Sequence, residues 1–186
     1  CVREGIIFES LPYHNIVFIG KDNNGEPKYA AYRATNNSRI MGDCTGSDKH
    51  YSFQMAQGNA DSVHLFESAI DLLSFATLMK HDCKNYESEN LLSLAGVYAP
   101  RDRIEESKVP VSLEELLKEK PQITKIILHL DNDKAGRLAT KALQAVLSSR
   151  YEVIDDPTPR GKDFNDFLCF KMGIERTPTR ERSYER

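Results

Sequence analysis

The sequence predicts an α/β fold: a mainly parallel sheet flanked by helices, with a small β-rich appendage at its N-terminus. Three observations lead there. Short apolar runs at 62–66, 90–95 and 126–130 alternate with longer segments that are apolar at helical spacing, the order that builds a parallel sheet with right-handed crossovers. Ile126, Ile127, Leu128 and Leu130 are apolar almost without interruption, as suits a strand covered on both faces. Residues 15–34 instead carry two strand-like runs around Asn24-Gly25, the pattern of an antiparallel hairpin.

Taken in order, 15–20 and 27–34 are the hairpin strands. A polar stretch follows to Arg39, then a loop-like segment at 42–49. There Thr45-Gly46-Ser47 with Lys49 could meet a phosphate but reads more simply as a polar surface loop. Tyr51-Ser52-Phe53 suits a short strand. A second unit starts near Ala60. Its first strand, 62–66, ends at Glu67, and the next segment is apolar at Ala69, Ile70, Leu72, Leu73, Phe75, Ala76, Leu78 and Met79, a helix buried on more than one face. If Glu67 begins that helix, it shares a face with Asp71. The strand at 90–95 closes on Gly96. Ser112 with Glu115 has the form of a capping box at the head of a short helix, 112–119. The strand ending at Leu130 leads into a helix apolar at Leu138, Ala139, Ala142, Leu143, Val146 and Leu147, then a strand at 151–154 and a short helix at 163–172. Residues 175–186 are mixed in charge without a core face and read as a linker or frayed end. The expected units are 1–58, 59–172 and 173–186.

Composition narrows the classes. Hydrophobic residues at 40% and charged residues at 28% fit an ordinary globular chain. A net charge of −3 does not advertise nucleic-acid binding, so any basic surface has to be local. Cys1, Cys44, Cys83 and Cys169 form no CxxC pair; they suggest neither a zinc knuckle nor a disulfide framework and fit reduced thiols in the cytoplasm. No apolar run is long enough to cross a membrane and no signal peptide opens the chain. Cys1 in place of an initiator Met is what a piece of a longer protein would show, and its other domains are then expected partners.

The chemistry concentrates at Asp131-Asn132-Asp133. Side chains alternate along an extended chain, so Asp131 and Asp133 point the same way. In open α/β sheets the ligand crevice lies at the carboxyl ends of the strands. Two carboxylates converging there repel each other unless a proton or cation lies between them, and a hard divalent ion, Mg²⁺ first, is the simplest solution. Glu67 and Gly96 fall at other strand ends and can reach the same edge. Three other readings are weaker. An EF-hand fails because Ala135 and Ala142 stand where oxygen ligands are required. An aspartyl-nucleophile phosphatase also places a DxD after a strand, but here the motif lies late in the domain. Helix capping accounts for one aspartate and not both. Asp71 and Asp163 are secondary candidates, each also readable as a helix-surface or capping acid.

Phe66-Glu67-Ser68-Ala69-Ile70-Asp71, Ala95-Gly96 and Leu130-Asp131-Asn132-Asp133-Lys134-Ala135-Gly136 together resemble the Toprim domain, a Rossmann-like unit of topoisomerases, bacterial-type primases and related nucleases. Gly161-Lys162-Asp163-Phe164-Asn165-Asp166-Phe167-Leu168 is similar to a segment of the primase-like Toprims carried by plasmids and conjugative elements. Residues 20–53 resemble the small domain of unknown function that often precedes them. Ser68 replaces a glycine found in many primases, and Asn165 stands where some have Asp.

The resemblance implies an acidic cluster holding one or two Mg²⁺ (or Mn²⁺) ions near a phosphodiester. Asp131 and Asp133 are then metal ligands, and Glu67 is a third ligand or the general acid/base, with Asp71 and Asp163 in reserve. Lys134, Arg137 and Lys162 are candidate phosphate contacts. The implied partners are DNA, as single-stranded template or nicked duplex, and nucleotides. The leading expectation is a primase-like nucleotidyltransferase module of a mobile element; a metal-dependent nuclease or nicking enzyme and a non-catalytic nucleic-acid-binding module are the alternatives. Topoisomerase strand passage would need a nucleophilic tyrosine from another domain.

Overall fold

A computed structural model describes residues 1–36, 40–55, 58–97 and 99–174. The expected tail at 175–186 and the last residues of the polar stretch, 37–39, lie outside the described residues. Two sheets organise the rest. The first is antiparallel, in the order β1 (Ile7–Ser10), β2 (Asn15–Lys21), β3 (Pro27–Arg33), β4 (Met41–Asp43). Its central hairpin matches expectation. Asp22 Oδ1 accepts the amides of Asn24 and Glu26, each at 2.9 Å, and Gly25 takes φ +81°, the left-handed conformation that glycine adopts without strain.

The second sheet has the order β5 (Gln54–Met55), β7 (Asn90–Ser93), β6 (Ser62–Phe66), β8 (Lys125–His129), β9 (Glu152–Asp155). β6 to β9 are parallel, and β5 runs antiparallel on the edge. The helices are α1 (Ala69–His81), α2 (Val111–Glu119), α3 (Lys134–Leu147) and α4 (Phe164–Lys171). Period-two alternation sends neighbouring residues of one strand into different cores. Leu65, Leu92 and Leu128 meet Leu113 and Leu116 of α2 and Ala139 and Leu143 of α3. Phe66 and Leu91 meet Leu72 of α1 and Phe164 of α4 on the other face. Phe18 of β2 and Phe53 join this second core, edge to face at 5.5 Å, and so bind the two sheets together. Gly20 lets them approach: a Cβ there would run into the backbone of Tyr51 and Ser52.

Four expectations change. Ser112 is not an N-cap. Pro110 takes that position, its carbonyl accepts the amides of Leu113 and Glu114, and buried Ser112 Oγ has no hydrogen-bond partner; Glu115 pairs with Lys118 instead, at 3.0 Å. Proline pre-sets the φ of a helix start, so the helix begins before the serine. The segment at 51–53 is not a strand: a 3₁₀ turn at Lys49–Tyr51 leads into β5, and Asp48 caps that turn through the amide of His50. The segment at 42–49 is not wholly loop, since β4 completes the first sheet on its exposed edge. Glu67 does not begin α1. Ser68 is extended at φ −133° and caps it, so Glu67 stands before the helix while Asp71 lies inside it.

Candidate active site

Three strand ends build the site. β6 delivers Glu67, and the chain turns at once because Ser68 Oγ accepts the amide of Asp71 to start α1. Just beyond β7 come Ala95 and Gly96, both at positive φ, and the Gly96 amide donates to the Glu67 carbonyl at 2.9 Å. β8 ends just before Asp131, and Asp133 caps α3 by accepting the Gly136 amide at 3.0 Å. β6 and β8 are adjacent and parallel, so Glu67 and Asp131 emerge side by side. The Asp131 amide donates to Glu67 Oε1 at 3.1 Å.

Asp131 and Asp133 converge as alternation requires. Lys162 Nζ lies 2.9 Å from Asp131 Oδ2 and 3.1 Å from Asp133 Oδ2. The ammonium therefore marks a point that both carboxylates address, and it stands in for a cation. Burial raises Asp131 above the usual carboxylate range, against the pull of Lys162. The Gly136 amide holds Asp133 below it. Burial, then the charge of Asp131, pushes Glu67 up to about 7, so its carboxyl changes protonation near neutrality. Hydrogen bonding to both aspartates raises Lys162. Among the described residues no three Asp, Glu, His or Cys side chains already form a metal-ligand set. The donor chemistry nevertheless fits a hard cation: two converging carboxylates with a third acid beside them.

The remaining candidates separate. Arg137 is committed to structure: it donates to the carbonyls of Asp131 and Leu130 at 3.1 and 2.9 Å and pairs with Asp155 at 2.9 Å. Lys134 is exposed on the first turn of α3. Asp71 is buried, accepts hydrogen bonds from Ser68 Oγ and the Asn165 amide, and is pushed up to about 6, chiefly by burial. Asp163 caps α4 through the Asp166 amide at 2.7 Å.

Three features escape the sequence reading. Asn132, between the two aspartates, faces the other way and clamps the loop that carries Lys162. Its Nδ2 donates to the carbonyls of Thr158 and Gly161, and its amide donates to the Lys162 carbonyl at 2.7 Å. Its odd position in an alternating DND run is the available signal. Beneath the acids, buried His129 donates from Nδ1 to the Asp156 carbonyl at 2.6 Å. A carbonyl only accepts, and burial pushes His129 down to about 3, so its Nε2 is an acceptor and His64 Nδ1 donates to it at 2.8 Å. A histidine inside an apolar strand run is the signal there. Lys49 pairs with Asp43 at 3.0 Å and reaches the Ala95 carbonyl at 3.4 Å, which brings the first sheet to the rim of the site.

A parallel sheet with an acidic cluster at its carboxyl edge, opened by Glu67 and closed by DxDxAG, defines a Rossmann-like domain suited to cation-assisted chemistry. Residues 64–168 match the family model described as Toprim-like, and the chain belongs to that family. Residues 1–60 match a family described as a protein of unknown function (DUF3991). The uncharacterized protein pXO2-78 of Bacillus anthracis is 26% identical over 93% of this chain, which spans 46% of that relative's length. The primase fragment of the bacteriophage T7 primase-helicase protein is similar in fold, with TM-score 0.59 and 21% identity over 94% of this chain and 64% of that one. A DnaG primase catalytic domain solved bound to single-stranded DNA gives TM-score 0.54 and 17% identity, over 93% of this chain and 54% of that one.

Proposed function

We propose that the chain is the primase-like Toprim module of a mobile-element protein and supports Mg²⁺-dependent nucleotidyl transfer on DNA in the cytoplasm. The observation that carries this reading is the convergence of Asp131 and Asp133 on one cation position, beside a Glu67 whose carboxyl titrates near neutrality. The fold shared with primase structures and the pXO2 name of the Bacillus anthracis relative support it. We take 1–58 as the appended unit and 59–172 as the Toprim unit; Gln54–Met55 extends the Toprim sheet from the appended side.

Asp131 and Asp133 would hold the divalent ion, which when bound supplies charge neutralisation to the reacting phosphate. Glu67 is held by the Asp131 amide at Oε1, where it can complete the ligand set or keep a proton on its other oxygen, Oε2, for the oxygen that leaves. Exposed Lys134 sits at a helix N-terminus, where backbone amides and side chain together suit a phosphate. Arg137 fixes the backbone on which both aspartates stand.

The test uses the full-length polypeptide with Mg²⁺ or Mn²⁺, because this chain is about half the length of its matched relative. It is given single-stranded template with ribonucleotides and, separately, supercoiled plasmid. Metal-dependent primer synthesis that disappears with D131N/D133N supports the reading. Nicking without synthesis makes the domain a nuclease, and metal-dependent DNA binding with neither activity makes it a binding module.

A further inference from the structure

We propose that Lys162 is an exchangeable internal counter-ion: its ammonium balances Asp131 and Asp133 in the metal-free chain, a divalent cation expels it, and the released ammonium then takes a nucleic-acid phosphate. The inference rests on the cation-binding reading of the acid site given above.

The geometry separates a fixed backbone from a movable side chain. The Lys162 amide donates to Asp166 Oδ2 at 2.9 Å, and its carbonyl accepts the Asn132 amide at 2.7 Å. The peptide is thus pinned on both sides, next to Asp163 at the cap of α4. The side chain is 53% exposed. Nothing but its two ion pairs holds the ammonium among the contacts described. A lysine stem has four rotatable carbons and a compact, hydrated charge, so the ammonium can leave while the loop stays in place.

Charge gives the exchange a direction. Two carboxylates against one ammonium leave the mouth of the site negative, which repels a phosphate backbone. A divalent ion neutralises the pair completely. The freed ammonium stays anchored within a side-chain length, so the mouth ends two charges more positive than before, whether or not Glu67 beside it is ionised. Cation binding therefore relieves the repulsion of phosphate and frees an ammonium to take it. This orders events, with metal first and nucleic acid second, in a protein whose net charge of −3 offers no general attraction to DNA.

Two measurements on the full chain test it. In wild type, Lys162 should give a slowly exchanging ¹⁵N ammonium signal without metal, assigned by its absence in Lys162→Arg. That signal should vanish as backbone amides of residues 131–136 report Mg²⁺ saturation. A signal that persists at saturation overturns the exchange and leaves the metal site standing. If those amides do not respond to Mg²⁺ or Mn²⁺, the cation reading itself fails and the exchange fails with it. In the second measurement, Lys162→Met removes the competitor and should bind Mn²⁺ about three- to tenfold more tightly, the scale of two partly exposed ion pairs. With metal bound, its affinity for a short oligo-dT should fall below that of wild type and Lys162→Arg, which keep a cation for the phosphate. Unchanged or weaker Mn²⁺ binding by Lys162→Met, or a metal-bound oligo-dT affinity equal to that of wild type, overturns the proposal.

Discussion

The Asp131 amide donates to Glu67 Oε1 at 3.1 Å, so the two acids on neighbouring strand ends are joined before any cation arrives. The bond is possible because α3 approaches closely through Gly136. A Cβ on Gly136 would come within 2.6 Å of Glu67 Oε1 and closer still to the Asp131 carbonyl oxygen. The carbonyl is backbone and has no easy escape. Gly136→Ala should therefore cost about 2 kcal/mol of stability, the scale of core overpacking, and should separate Glu67 from Asp131. Denaturant unfolding measures the first effect and the amide shift of Asp131 the second. Wild-type stability in the alanine variant would show that the strand ends are looser than this packing requires.

The acid site predicts a metal-dependent stabilisation. A ligand that binds only the native state raises Tm, so Mn²⁺ or Mg²⁺ should raise it in wild type. Asp131→Asn with Asp133→Asn should abolish the rise, because the two oxygens that converge on one point lose their charge. A rise of the same size in the double variant would move the cation elsewhere.

Much of this was legible in the sequence, for a local reason. A strand buried on both faces, an abrupt acidic turn and a helix opening on Ala-Gly leave their marks within one stretch, 123–147. What was not legible depends on chain closure. Lys162 reaches the aspartates only because the 158–162 loop folds back onto Asn132, a contact between residues about thirty positions apart. Arg137 looked available for phosphate, yet its guanidinium is taken up by carbonyls of its own turn and by Asp155 on the next strand. β1 and β4 are short and mostly exposed, so no apolar alternation marks them. The Ser112 motif misled because a proline two residues earlier starts the helix first.

Asp71 predicts a pH dependence. Its folded-state pKa of about 6 lies above the ordinary 3.8, chiefly through burial. The folded chain therefore keeps a proton that the unfolded chain has released. The stability this provides is complete below about pH 4 and is lost as pH rises through 6, a change on the order of 3 kcal/mol. Glu67, raised in the same sense, extends the decline toward pH 7. Metal-free thermal melts from pH 4 to 8 should show a falling Tm. Asp71→Asn, which can still accept from the Asn165 amide and donate to Ser68, should flatten part of that slope and melt higher at pH 8. An unaltered slope in the variant would remove Asp71 as its source.

The first sheet should not fold alone. Phe18 and Phe53 are buried against Phe66, Leu91 and Phe164, all supplied from beyond residue 58. A fragment of 1–58 would expose both rings, at a length where independent cores are marginal. Circular dichroism of that fragment should show no cooperative thermal transition; a sharp one would establish an independent domain.

Glu67→Gln distinguishes an enzyme from a binding module. The amide can still accept the Asp131 N–H through its oxygen, so the strand ends stay joined, but it can neither carry a charge to a cation nor exchange a proton near pH 7. If Glu67 serves the chemistry, the full-length variant should keep its DNA affinity and lose turnover by at least about a hundredfold, the ordinary contribution of a positioned acid or base. If the domain only binds, removing one negative charge near phosphates leaves affinity equal or slightly tighter, with no turnover to lose. Measuring affinity and turnover on the same preparation separates the cases. Synthesis or cleavage that continues at the wild-type rate would take Glu67 out of the chemistry and leave it as the residue that aligns Asp131.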